Sequence, residues 1–191
     1  MTTRPARICL TLLALAALAG CGPKFVRERV YDKPNMRVEL RHQKSGDAPV
    51  ARGYSHPVTI ADVRIAHILA SLSYEDDEGN RKPAIRAQFV YELGDAISAA
   101  LAKAGPDDEV AAAVFPEDRR LQIFTDTRVT AFRLFVQGEQ MRVDFYAVEQ
   151  ALDPDARRAG TREYEIPTAL PTLEPRFKLS VGQAQRKLGP R

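Results

Sequence analysis

The apolar residues change their period near Gly105, and that change restricts the fold more than any other feature of the sequence. Upstream, Phe89, Leu93, Ile97, Leu101 and Ala104 fall on one stripe with Ala100 alongside, the spacing of a helix that buries one face. Gly105-Pro106 then stops it. Downstream, Val110, Ala112 and Val114 alternate with their neighbours, as do Leu121 and Ile123, the spacing of strands with one buried face. A first helix is predicted from about Ile60 to Ser71, with Thr59 as N-cap, Asp62 completing a shortened capping box, and Ile65, Ile68, Leu69 and Leu72 buried. Pro83 introduces the second helix.

Two hairpins follow from the alternation. Pro116-Glu117-Asp118-Arg119 reads as a four-residue turn that sets Val114 against Leu121 and Ala112 against Ile123. A two-residue loop at Gly138-Glu139 sets Val136 against Met141, Leu134 against Val143 and Phe132 against Phe145. Glycine first in such a loop suits a type II′ turn. The same register faces Arg133 with Asp144, a favourable pair that a one-residue slip would lose. Met36, Val38 and Leu40, alternating with Arg37, Glu39 and Arg41, predict a half-buried strand, and Gln43 to Tyr54 reads as loop. The expected fold class is α+β: two helices packed on one face of a four- to five-stranded antiparallel sheet, in a domain spanning 36–150.

The N-terminus is of a different kind. Arg4 and Arg7 precede Ile8 to Ala19, a run without charge that fits a signal-peptide h-region and is short of the roughly 20 residues a spanning helix needs. It ends in Leu18-Ala19-Gly20-Cys21, which resembles the bacterial lipobox. By that resemblance residues 1–20 are a lipoprotein signal peptide, and Cys21 becomes the first mature residue, acylated on its sulfur and its amine with chains such as palmitate. Several chains are what stable anchoring requires. Ala17-Leu18-Ala19 also fits an ordinary signal-peptidase site, which would release a soluble protein from Gly20. Gly22 is not the aspartate that in many enteric bacteria resembles an inner-membrane retention signal, which favours the inner leaflet of the outer membrane, facing the periplasm. Residues 21–35, polar and basic, read as a lipidated tether with a reach of roughly 45–50 Å. Residues 151–191 read as a proline-rich basic extension.

Composition narrows the classes of function. The two cysteines, Cys9 and Cys21, lie at the extreme N-terminus, so the body has no disulfide, thiolate nucleophile or cysteine ligand. With Arg4 and Arg7 removed, Lys+Arg falls from 28 to 26 against 25 acids. A near-neutral body gives no reason to expect nucleic acid. His42, His56 and His67 show no metal-ligand spacing; His67 would flank the buried stripe of the first helix, and His56-Pro57 reads as an extended lead-in. Ser71 and Ser73 lie in no nucleophile motif. The loop Glu75-Asp76-Asp77-Glu78 lacks calcium-loop spacing and reads as a solvated turn. Arg176, Lys178, Arg186, Lys187 and Arg191 make a basic tail, suited to anionic lipid, murein or an acidic partner, or simply to solvent. No catalytic residue, cofactor site or metal site is expected.

His56-Pro57-Val58-Thr59-Ile60, Ile68-Leu69-Ala70-Ser71-Leu72, Leu101-Ala102-Lys103-Ala104 and Leu134-Phe135-Val136 are similar to segments of a group of uncharacterised bacterial outer-membrane lipoproteins, over roughly residues 55–147. In architecture the chain is similar to envelope-assembly lipoproteins that plug or brace outer-membrane machines. The lipobox-like segment and the absence of a catalytic grouping predict a lipid-anchored, non-enzymatic accessory or scaffold, bound to membrane lipid through Cys21 and to an envelope protein. A periplasmic hydrolase of cell-wall or lipid material and a small-ligand carrier are the alternatives.

Overall fold

A computed structural model describes residues 24–120, 124–152, 160–170 and 177–188. Cys21, the signal segment, Leu121, Ile123, Arg176 and Arg191 lie outside them. In chain order the elements are β1 (Lys24–Lys33), β2 (Met36–Ser45), β3 (Ala48–Pro49), α1 (Asp62–Ser71), β4 (Ser73–Glu75), β5 (Arg81–Pro83), α2 (Ala87–Lys103), β6 (Glu109–Val114), β7 (Glu117–Arg120), β8 (Phe124–Gln137), β9 (Gln140–Ala151) and β10 (Lys178–Ser180). Among the described residues the fold is α+β with two helices and antiparallel sheets, and it holds more strands than the sequence predicts. Seven strands among the described residues form the main sheet, with β1-β2-β6-β8 as its spine, β9 on the far side of β8, and β3 appended to β2. A second sheet has the order β10-β4-β5.

The inner face follows the apolar pattern. Met36, Val38 and Leu40 of β2, Val110, Ala112 and Val114 of β6, and Phe132, Leu134 and Val136 of β8 are buried against the helices. From α1 come Ile65, Ala66 and Leu69, and from α2 Phe89, Leu93, Ile97, Ala100 and Leu101. Ile68 and Leu72, expected in this core, are only half-buried. The helices touch at Gly94, where an added Cβ would lie 2.9 Å from the Asp62 carbonyl oxygen and 3.0 Å from the Ala66 nitrogen. No helix among the described residues is long and apolar enough to cross a membrane.

The hairpin of β8 and β9 has the expected register: Val136↔Met141, Leu134↔Val143, Phe132↔Phe145 and Arg133↔Asp144. Gly138 has φ +61° while Glu139 is not in the left-handed region, as a type II′ turn requires. Farther along, the register shifts between Val129 and Ala131 and again between Ala131 and Phe132, and Glu149, at φ +47°, lies opposite the first of these.

The other hairpin is not where the turn chemistry placed it. Val114 faces Thr130 and Ala112 faces Phe132, and Glu117 faces Thr127 in the same register. β6 and β7 are thus one strand, interrupted at Phe115-Pro116 and paired along the length of β8. Pro116 lacks a donor but keeps its acceptor, and its carbonyl takes the Arg128 N–H at 3.0 Å. The proline therefore costs one ladder bond and does not turn the chain.

Four further expectations are corrected. Residues 24–33 are not an irregular tether but strand β1, paired with β2 from Lys24↔Lys44 to Lys33↔Met36. Within 43–54, β2 runs on to Ser45 and pairs with β3. Helix α1 is capped at Ala61 without a side-chain bond, because the preceding residues bond across to α2: Val58 N–H to Leu101 O at 3.1 Å, and Ser98 Oγ to Ile60 O at 2.6 Å. Thr59 is therefore held off the helix. Pro83 ends β5 opposite Ser73, and α2 starts only after Arg86.

Candidate functional site

On β2 the burial pattern departs from alternation, since all of Met36 to Arg41 are buried. The sheet's outer face is covered as well. Ala111, Ala113, Phe115, Val129, Ala131, Tyr146 and Ala147 pack there against Leu152 and Ile166, with Tyr164 edge-on to Phe115 at 5.4 Å. The covering segment is 160–170, part of the extension, so the outer face forms a second, smaller core.

Within that core a line of charges crosses four strands. Arg41 is fully buried and Glu109 is 4% exposed. Arg41 Nε donates to Glu109 Oε1 at 2.6 Å, and Arg133 Nη1 donates to Glu109 Oε2 at 3.0 Å. Arg133 also meets Asp144 Oδ2 at 3.0 Å, and Arg142 Nε donates to Asp144 Oδ1 at 3.0 Å. Register explains the order: Arg41↔Glu109 and Arg133↔Asp144 are direct cross-strand partners, and Glu109 reaches Arg133 on the diagonal. The guanidinium carbons of Arg133 and Arg142 each lie 5.9 Å from the centre of the Phe135 ring. Arg41 also donates to the hydroxyl of Tyr146, whose own pKa burial pushes up to about 12, so the phenol stays protonated.

The covering segment is held by its main chain. Arg41 Nη1 donates to Pro167 O at 2.7 Å and Ile166 O at 3.3 Å, and Arg37 Nη1 donates to Tyr164 O at 2.6 Å and Nη2 to Thr161 O at 3.3 Å. Between these arginines stands Glu39, 4% exposed. Its Oε1 accepts no hydrogen bond and has Arg27 Nε at 3.7 Å. Burial raises the Glu39 pKa, against the lowering pull of Arg27, Arg41, Arg37 and Arg29.

The histidines divide. His67 is exposed on α1. His42 and His56, far apart in sequence, both meet Asp108: His42 Nδ1 lies 2.9 Å from its carboxylate, and His56 Nδ1 lies 2.9 Å from its carbonyl oxygen. His56 Nε2 accepts the Val136 N–H at 3.0 Å. A carbonyl can only accept and an N–H can only donate, so His56 is the neutral tautomer with its proton on Nδ1. Both nitrogens are thereby occupied by main chain. Among the described residues no hydroxyl is hydrogen-bonded to either His42 or His56.

Ser71 and Ser73 line a shallow depression of about 470 Å³ with Arg81, Lys82, Gly182 and Gln183. Their hydroxyls are engaged: Ser71 Oγ donates to Ile68 O at 2.6 Å, and Ser73 Oγ accepts from Arg81 Nε at 2.9 Å. In the acidic loop, Asp76 accepts the Glu78 and Asn80 N–H groups and meets Lys82 Nζ at 2.6 Å. Lys82 and the Asn80 N–H hold its carboxyl at about 2. It organises the turn. Of the basic tail, Lys178 lies in β10 and pairs with Glu75 at 2.6 Å, and Arg186 donates to Gln140.

Among the described residues no group of three or more His, Cys, Asp or Glu is placed to hold a metal ion. Sequence reasoning found one link of the charge line, Arg133–Asp144, and missed Arg41, Glu109 and Arg37. The local signal for them is the alternation of β2 and β6, which predicts exposure for Arg37, Arg41 and Glu109. A scan of protein-family models, a search of curated proteins and a search of solved structures each return no match to this chain.

Proposed function

We propose that the protein is a lipid-anchored envelope lipoprotein, held by acyl chains on Cys21, whose periplasmic domain is a non-enzymatic accessory or scaffold for another envelope component. The observation that carries the scaffold reading is the closed charge line from Arg41 to Arg142. Glu109 and Asp144 each hold two arginines, an arrangement that stiffens a sheet and leaves no free base or nucleophile along it. The reading is favoured over a hydrolase by His56, whose nitrogens are both spent on main chain. It is favoured over a small-ligand carrier by the large side chains between helices and sheet, among them Phe89, Phe132, Leu93 and Ile97. Anchoring rests on Leu18-Ala19-Gly20-Cys21 following an uncharged run, and Gly22 favours the outer membrane's inner leaflet.

Two measurements test it. The intact mass of the mature protein should equal residues 21–191 plus acyl chains, and Cys21→Ser should abolish both acylation and processing. Crosslinking in cells followed by detergent extraction should return the same envelope protein repeatedly. A mature Cys21→Ser protein still on the membrane would overturn the anchor, and repeated recovery of the protein alone would overturn the scaffold.

A further inference from the structure

Strand β1 begins at Lys24, so only Gly22 and Pro23 stand between it and Cys21. A fully extended chain covers at most about 3.6 Å per residue, which puts Lys24 within roughly 11 Å of the cysteine. On the reading that Cys21 is acylated, the folded domain has almost no leash. We infer that the Lys24 end of the main sheet rests on the anionic headgroup surface of the anchoring membrane.

Antiparallel order decides what lies at that end. Lys24 faces Lys44, and the β2–β3 turn adjoins them, with Gly46 at its tip. The Gly105–Asp108 connection and the Gly138-Glu139 turn occupy the same end of β6 and of the β8–β9 hairpin. The cations of the β1–β2–β3 corner are Lys24, Lys44 and Arg52; the acids at this end of the sheet are Asp47, Asp107, Asp108 and Glu139, and Asp108 is held by His42 and the Gly105 N–H. Asp107 is already engaged by the Arg52 N–H at 2.7 Å. Among the described residues, neither Lys24 nor Lys44 has an ion pair or hydrogen bond through its side chain. Two unpaired ammonium groups beside the anchor are what an anionic surface attracts. The opposite end, with the β1–β2 turn at Pro34-Asn35, stands away by the length of β1, about 30 Å at the usual rise per residue.

The body has no cysteine beyond Cys21, so single substitutions Ser45→Cys and Asn35→Cys carry a fluorophore at either end of the sheet. The acylated full-length mature protein is incorporated into vesicles of phosphatidylethanolamine and phosphatidylglycerol bearing a headgroup-attached quencher. The label at position 45 should be quenched several-fold more than the label at 35. A long Gly-Ser insertion between Pro23 and Lys24 should remove the difference without loss of co-flotation, and so should Lys24→Glu with Lys44→Glu weaken it. Co-flotation with equal quenching of both labels, or with position 35 quenched more, would overturn this inference alone. Failure to co-float would overturn the anchoring reading and this inference together.

Discussion

Arg41 shows how a single side chain can tie two layers together. With no exposure, it spends its guanidinium on Glu109, Tyr146 and two carbonyls of the covering segment. Arg41→Met removes the positive member of a buried pair and strands Glu109 with Arg133 alone; the expected loss is about 3–5 kcal/mol in urea unfolding. Glu39 is the counter-case. Its carboxylate is buried without a hydrogen bond at Oε1, and its pKa is raised in the fold, so ionisation at neutral pH opposes folding. Glu39→Gln is expected to leave stability at pH 7 unchanged or higher, and a marked drop in the urea midpoint would refute that. His56 sets a pH dependence. Burial lowers its pKa, outweighing the Asp108 carbonyl, which raises it. The unfolded chain therefore takes up the proton first. Its contribution is full above about pH 6.5 and is lost as pH falls through the folded-state value. Unfolding midpoints between pH 8 and pH 5 should show this slope, and His56→Gln should flatten it.

Between elements, the tightest contact is α1 against α2 at Gly94, where the neighbours of a new Cβ are backbone atoms that cannot swing aside. Gly94→Ala is expected to cost about 1–3 kcal/mol through separation of the helices, measured as a lowered urea midpoint; an unchanged midpoint would mean the contact is slack. How far such elements can be read from sequence depends on whether their cause is local. The helix α2 stripe and the Gly138-Glu139 hairpin were legible because period, turn glycine and the Arg133–Asp144 pair all lie within a few residues of one another. The β6–β7 strand was not, because Pro116-Glu117-Asp118 has turn composition and only pairing with β8 holds it extended. Strand β1 was hidden by its Arg, Lys and Glu content, normal for an edge strand that must discourage further pairing. The buried charges of β2 were illegible for a stronger reason: what covers them lies more than a hundred residues later, at Thr161 to Pro167.

At the scale of the whole molecule, the extension is a structural part. It supplies the lid of the second core through Tyr164 and Ile166, and β10 for the small sheet. Ending the chain after Ala151 would uncover Phe115, Tyr146, Ala111, Ala113, Ala131 and Ala147 of the second core, and leave Arg37 and Arg41 without their carbonyl partners. Such a protein is expected to bind an apolar dye several-fold more strongly and to lose a single cooperative transition. Retention of both native properties would mean the second core is dispensable.

Arg37 and Arg41 take hold of oxygens that every amino acid carries, Thr161, Tyr164, Ile166 and Pro167 alike. The clasp itself is indifferent to which side chain each gripped residue carries. Outward positions such as Glu163 are free to drift as long as the ribbon keeps its path, whereas one change in either arginine loosens the whole strap at once. The grip constrains the two arginines, while in the ribbon only the side chains that face inward, Tyr164 and Ile166, are constrained by what they cover.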